Sequence, residues 1–135
     1  MLLKHFCRKA VIVGGLIILI IKLIIRPFQV LPDGEFFWGI APNLISSFLV
    51  PFFAYWFCIG KNNWLARTFK IQTIYDLRIV SLKGLALIMV NEYLQLIPVF
   101  GRTFDLNDLL SSFAGIGISY FVFRKLQQRY AWQTA

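Results

Sequence analysis

The residues able to do chemistry gather late in the chain. Asn91, Glu92 and Gln95 interrupt an apolar run, and Arg102, Asp105, Asn107 and Asp108 follow within a short polar stretch. Glu92 and Gln95, three residues apart, share one helical face, and Asn91 lies four residues before Gln95, so a polar stripe turned away from lipid is expected. Glu92 sits about eight residues, roughly 12 Å along a helix, inside the end of its apolar run. A carboxylate at that depth is costly unless paired or hydrated, which makes it a candidate functional group and proton acceptor. Arg102 is suited to an anionic phosphate or carboxylate through charge-assisted bonds. Asp105 or Asp108 can cap the next helix, whose amino end favours an anion. A Glu92–Arg102 ion pair with an aspartate cap that merely locks a hairpin is the structural alternative.

Asp108, Ser112, Gly115 and Ser119 follow at i, i+4, i+7 and i+11 on one face, and Ser111, Gly115 and Ser119 form a row of small residues. Such a row allows close helix approach. It is expected to seat the helix of Glu92 and Gln95, bringing them toward Asp108 and Arg102.

Metal and cofactor chemistry has little to work with. His5 is the single histidine, Cys7 and Cys58 are the two cysteines, and neither a CxxC nor an HExxH pattern occurs. No metal site and no cofactor are expected, and the cysteines are expected to be unpaired thiols.

The elements that position these residues follow from composition. The chain has 135 residues, 59% apolar and 15% charged, with a mean hydropathy of +0.70. Soluble domains are roughly 45–50% apolar and about 25% charged, so a soluble globular domain and a disordered tail are excluded. The net charge is +8, but the basic residues punctuate apolar runs instead of forming a polar platform with stacking aromatics. Nucleic acid is therefore not an expected partner. A membrane span takes about 20 residues, and four fit: 10–30, 39–59, 79–100 and 109–123. The expected fold is a single all-α membrane domain, 1–135, a four-transmembrane-helix bundle with no extramembrane catalytic domain.

Details along the chain support the spans. The first resembles a signal sequence, but KLIIRPFQV follows its apolar core with no small-residue cleavage site. Lys22, Arg26 and Lys83 are expected to snorkel. Pro51 is expected to kink the second span. Trp64, Thr68, Ile71 and Tyr75 fall at i, i+4, i+7 and i+11, as in a short helix on the membrane surface; a plain basic loop fits equally. With the amino terminus inside, eleven of the fourteen Lys and Arg lie inside and five of the six acids outside. By the positive-inside rule both termini are cytoplasmic.

The stretch NEYLQLIPVFGRTFDLNDLLSSFAGIGISY resembles the VanZ-like family of small membrane proteins. Glu92 and Gln95 match its E-x-x-Q helix, Arg102 and Asp105 its loop, and Asp108 and Gly115 the ends of its D-x-x-x-N-x-x-G motif. Ser112 stands at the asparagine position, and Ser119 where a glycine is usual. Asn43, Phe48 and Pro51 only loosely echo an earlier N…F-x-P-x-G helix, with Phe53 in place of the glycine. The resemblance covers about 30 residues and the four-span layout. It implies a bacterial cytoplasmic (inner) membrane location and a link to teicoplanin, a lipoglycopeptide, without naming a reaction.

Three functions compete. The first is an envelope protein whose outer-leaflet cluster binds or remodels a lipid-linked or lipidated ligand, with Gln95, Arg102, Asp105 and Ser112 as binding residues. The second is an acid–base enzyme using Glu92 and Asp108, two carboxylates in unlike surroundings. The third is a non-catalytic assembly subunit of a membrane complex, for which a homodimer or a membrane protein partner is expected. A small proton-coupled transporter with Glu92 as its proton site is a further alternative. The lipid bilayer is a partner in all of them.

Overall fold

The computed structural model describes residues 2–28, 35–94 and 105–132. The end of the third expected span, with the loop after it, lies outside them. Among the described residues the chain is all-helical: α1 (Leu2–Ile20), a π-helical turn (Ile21–Ile25), α2 (Arg26–Phe28), α3 (Glu35–Phe48), α4 (Val50–Cys58), α5 (Trp64–Phe69), α6 (Ile74–Leu94) and α7 (Leu106–Trp132).

Among the described residues three helices are long and apolar enough to cross a membrane: Leu2–Phe28, Phe36–Cys58 and Leu106–Tyr130. At 21 residues, about 31 Å, α6 is somewhat shorter but still of spanning length. Its Asp76, Arg78, Lys83, Asn91 and Glu92 keep it out of that apolar set. Side-chain distribution agrees with a lipid surround. Leu16, Leu19, Ile20, Leu23 and Ile24 are exposed on the first helix, whereas Ser47, Ser81, Ser111, Ser112 and Ser119 are buried. An exterior of leucine and isoleucine around an interior of small hydroxyls is what packing in hydrocarbon favours.

Two helices run further than the apolar runs alone indicate. The first begins at Leu2, because Leu3 and Cys7 pack inward between the exposed Lys4 and Arg8. The last continues through the basic tail to Trp132, since Phe123, Leu126 and Tyr130 recur at helical spacing and join the core. The expected surface helix is shorter. Helix α5 stops at Phe69, and Lys70 turns extended with φ −67° and ψ 131°, so Ile71 and Tyr75 do not continue its face. Thr73 then starts α6. Its hydroxyl accepts the Asp76 N–H at 3.1 Å, while the Asp76 carboxylate accepts the N–H groups of Thr73 (2.9 Å) and Gln72 (3.0 Å). This is a reciprocal capping box.

Phe36–Cys58 is the centre of the bundle and it is broken in the middle. Pro51 supplies no N–H to the Ser47 carbonyl, and the Ser47 hydroxyl donates back to the Asn43 carbonyl at 2.5 Å. Both bend a helix. The break falls at Leu49, with φ −77° and ψ −10°. Chain continuity survives through Leu49 N–H to Ile45 O (3.0 Å) and Phe53 N–H to Leu49 O (2.8 Å).

Each of the other long helices turns a glycine to this break. A Cβ on Gly14 would lie 2.5 Å from Leu49 Cδ1, and one on Gly84 would lie 2.5 Å from Val50 Cγ1. A Cβ on Gly115 would strike the Ser47 hydroxyl and lie 2.5 Å from the Leu44 carbonyl oxygen. The Ser119 hydroxyl donates to the Phe48 carbonyl at 2.5 Å. Helix α7 thus runs parallel to α3 and α4. Contacts of Phe6 with Phe52 and of Arg26 with Gly39 make α1 antiparallel to them. Bonds from Arg78 to Tyr120 and from Gln127 to Gln72 make α6 antiparallel to α7. The hydrophobic core sits at the end of the bundle holding Leu3, Cys7, Phe52, Leu77 and Phe123. There Phe52 meets Phe123 edge to face, with ring centroids 5.3 Å apart. Both cysteines are free and buried.

Three substitutions have expected outcomes. Gly115→Ala pushes α7 against backbone atoms that cannot move aside, and it should destabilise the protein by about 1–3 kcal/mol in detergent unfolding. Gly117→Ala, where a Cβ meets nothing within 4 Å, should stabilise it by about 0.5–1 kcal/mol. Asp76→Ala should cost about 1 kcal/mol at neutral pH. The backbone N–H groups of Thr73 and Gln72 hold the Asp76 carboxyl below the usual aspartate range. A lowered folded-state pKa stabilises above the unfolded value and is lost as pH falls through the lowered one. The gap between wild type and variant should therefore shrink on acidification below about pH 4.

Candidate functional site

Of the polar residues expected to carry function, Asn91, Glu92, Asp105, Asn107, Asp108 and Ser112 lie at the end of the bundle opposite the core, at the close of α6 and the start of α7. The buried face of α6 is drawn by Leu77, Val80, Ser81, Gly84 and Glu92. Glu92 continues at helical spacing the line of Gly84, which meets Val50. Its side chain is 4% exposed, so the carboxylate faces inward. Asn91, one residue earlier, is exposed and borders a lateral cleft. The expected polar stripe is thus divided between an inward Glu92 and an outward Asn91, because adjacent helical positions are about 100° apart. Gln95 and Arg102 lie outside the described residues.

Asp105 caps α7. Its carboxylate oxygen accepts the Asn107 N–H at 2.9 Å, and its backbone carbonyl accepts the Leu109 N–H at 3.4 Å. Asp108, half-buried in the first turn, accepts the hydroxyls of both Ser111 and Ser112 on its backbone carbonyl, each at 2.8 Å. Ser112 therefore donates to its own helix. It is 2% exposed, and what it still offers a neighbour is an acceptor lone pair.

The small-residue face of α7 is buried as expected, but against a different helix. Gly115 and Ser119 meet Leu44, Ser47 and Phe48 of α3, not α6. The physical reason is the break in α3. Its carbonyls there accept the Ser119 hydroxyl, and its backbone fits the groove that a missing Cβ leaves at Gly115. Helix α6 meets α7 elsewhere, through Arg78 Nε to the Tyr120 hydroxyl (3.1 Å) and Gln127 Nε2 to the Gln72 carbonyl (3.1 Å).

Two basic residues read as snorkelling cations do more specific work. Arg26 donates from Nε to the Trp38 carbonyl at 3.2 Å and from its terminal nitrogen to the Gly39 carbonyl. Trp38 stands four residues before Pro42, so its carbonyl lacks the helical N–H that another residue at 42 would supply. Arg26 fills that gap and ties the first helix to the second at the polar end. The signal was present as a basic residue ending one apolar run and a proline entering the next. Lys83 donates to the Thr68 carbonyl at 3.0 Å and stands 5.9 Å from the Phe69 ring centroid, fixing α5 on α6.

The arrangement offers a carboxylate withdrawn from water, a capped helix amino terminus and a guanidinium bound to backbone, all at one end. Among the described residues no three His, Cys, Asp or Glu side chains gather to hold a metal. Arg26→Met should lower stability by about 1 kcal/mol. In a Pro42→Ala background, where residue 42 regains its N–H, the same substitution should cost little. A double-mutant cycle in detergent unfolding reads this coupling. Scans against protein-family models, curated proteins and solved structures find no match to this chain.

Proposed function

We propose that the chain is a four-span integral protein of the bacterial cytoplasmic membrane with both termini inside. Its polar cluster, formed by Glu92, Gln95, Arg102, Asp105, Asp108 and Ser112, binds or remodels a lipid-linked or lipidated ligand at the outer leaflet. The observation that carries this reading is the burial of Glu92 on the inward face of α6. A carboxylate kept there at the expense of hydration is a functional group by default in a membrane. The alternating helix directions and the concentration of Lys and Arg at the core end support the orientation. In this reading Arg102 binds the anionic group of the ligand and Glu92 accepts a proton. Asp105 and Asp108 present the start of α7, and Ser112 accepts a hydrogen bond. The resemblance to VanZ-like proteins in the Glu92–Gly115 stretch suggests teicoplanin as the ligand to try first.

The test is a susceptibility measurement in a sensitive Gram-positive host. Inhibitory concentrations of teicoplanin and vancomycin are compared for wild type, Glu92→Gln and Arg102→Ala at matched membrane levels. A rise selective for teicoplanin that both substitutions abolish is the expected result. An unchanged rise in either variant removes the cluster from the mechanism, and no rise with wild type overturns the ligand assignment.

A further inference from the structure

On the side where α1 and α6 both flank α4 without meeting each other, the bundle is open. The gap is a cleft of about 790 Å³ running from Ser46 and Asn91 to Cys58 and Phe69. Among the described residues no charged side chain lines it, and its walls are chiefly Leu, Ile, Val and Phe. From Ser46 to Cys58 it extends along the helix for about 18 Å, slightly more than half of a roughly 30 Å hydrocarbon core. A slot with walls this apolar suits a hydrocarbon chain.

Charge marks one mouth. Lys61 Nζ stands 3.8 Å from the centroid of the Phe57 ring, and Lys83 Nζ stands 5.9 Å from that of Phe69; both rings line the cleft. On α1 the lining residues Val11, Gly15 and Ile18 continue a face on which Arg8 and Lys4 lie one and two turns beyond the cleft. Four cations from three segments therefore surround the core end of an apolar slot, and among the described residues the polar lining of the opposite mouth is Ser46 and Asn91. Basic pockets between membrane helices attract anionic headgroups.

We infer that this cleft is a binding site for an anionic phospholipid of the surrounding bilayer. One acyl chain lies along α4 between α1 and α6, and the phosphate sits among Lys61, Lys83 and Arg8. This site is separate from the polar cluster at the other end and does not depend on the function proposed for it. The lipid completes the wall that α1 and α6 leave open, so the protein should be most stable when it is bound.

The full-length protein in mild detergent, stripped of lipid and offered phosphatidylglycerol or phosphatidylcholine in equal amounts, tests this by native mass spectrometry. Wild type should retain one phosphatidylglycerol in preference to phosphatidylcholine. Neutralising a lysine should cost that preference about five-fold per lysine, so Lys61→Gln with Lys83→Gln should bring the two lipids near parity. Gly15→Trp projects a ring into the cleft from a position where a Cβ meets nothing within 4 Å, and it should abolish retention of both. Leu87→Trp, on the facing wall, repeats the block from α6 in case the first variant folds poorly. Retention unchanged by both tryptophans, or a lipid preference unmoved by loss of both lysines, overturns the assignment. A dimer that either tryptophan disrupts overturns it in favour of a second copy.

Discussion

The broken helix Phe36–Cys58 is the constraint on which the other elements depend. A straight helix presents its carbonyls only to its own N–H groups. Pro51 and the Ser47 back-bond open the ladder at Leu49, exposing backbone that must be covered or hydrogen-bonded in a medium without water. Ser119 supplies a donor, and Gly115 lets α7 come close enough for it to reach. Gly14 and Gly84 admit the Leu49 and Val50 side chains that the bend pushes outward. Three glycines on three helices thus answer one defect, and the order of helices around α3 and α4 follows from where each glycine must stand. Hydrophobic burial does not supply this specificity, since leucine is as well solvated by lipid as by protein.

The same logic explains the first helix. Pro42 leaves the Trp38 carbonyl unserved near the polar end, and Arg26 serves it. The π-helical turn at Ile21–Ile25 lies just ahead of Pro27, where an α-helical ladder is interrupted in any case. Widening that turn changes the angular position of Arg26, which is followed by its reach to the second helix. Two prolines and one arginine, each unfavourable in a plain membrane helix, together form a joint.

Much of this was legible as pattern and little of it as pairing. Apolar runs long enough to cross a membrane, the bend at Pro51, a cap by Asp105 and the inward turn of Glu92 follow from residue type and helical period. These are local properties, and period 3.6 reports them directly. The partner of the Gly115 row was not legible, because a small face shows that something approaches and not what. The donors for opened carbonyls were hidden for the same reason: Arg26 reads as a snorkelling cation until the helix before it is known to lie beside Trp38. The shortness of α5 was ambiguous because the amphipathic spacing from Trp64 to Tyr75 spans a turn that Thr73 and Asp76 make with their own backbone. A reciprocal cap overrides weak periodicity, since it satisfies donors that a continued helix would satisfy no better.

The bundle divides its labour between its two ends. The core of Phe52, Phe123, Leu77 and Cys7 is packed at the basic end, where aromatic edges and faces hold four helices together. Among the described residues the opposite end is held by hydrogen bonds: the Asp105 cap, the hydroxyls on the Asp108 carbonyl and Arg26 on α3. Glu92 is buried on the side of α6 facing this polar end, so its carboxylate does not burden the tight core. A helix as polar as α6 is a poor candidate to insert alone. It is held by Gly84 against Val50, by Lys83 through α5 and by Arg78 through α7, contacts that exist only once the other helices are in place. The helix carrying the buried Glu92 carboxylate is therefore the one that most needs the rest of the fold, which couples burial of that carboxylate to correct assembly.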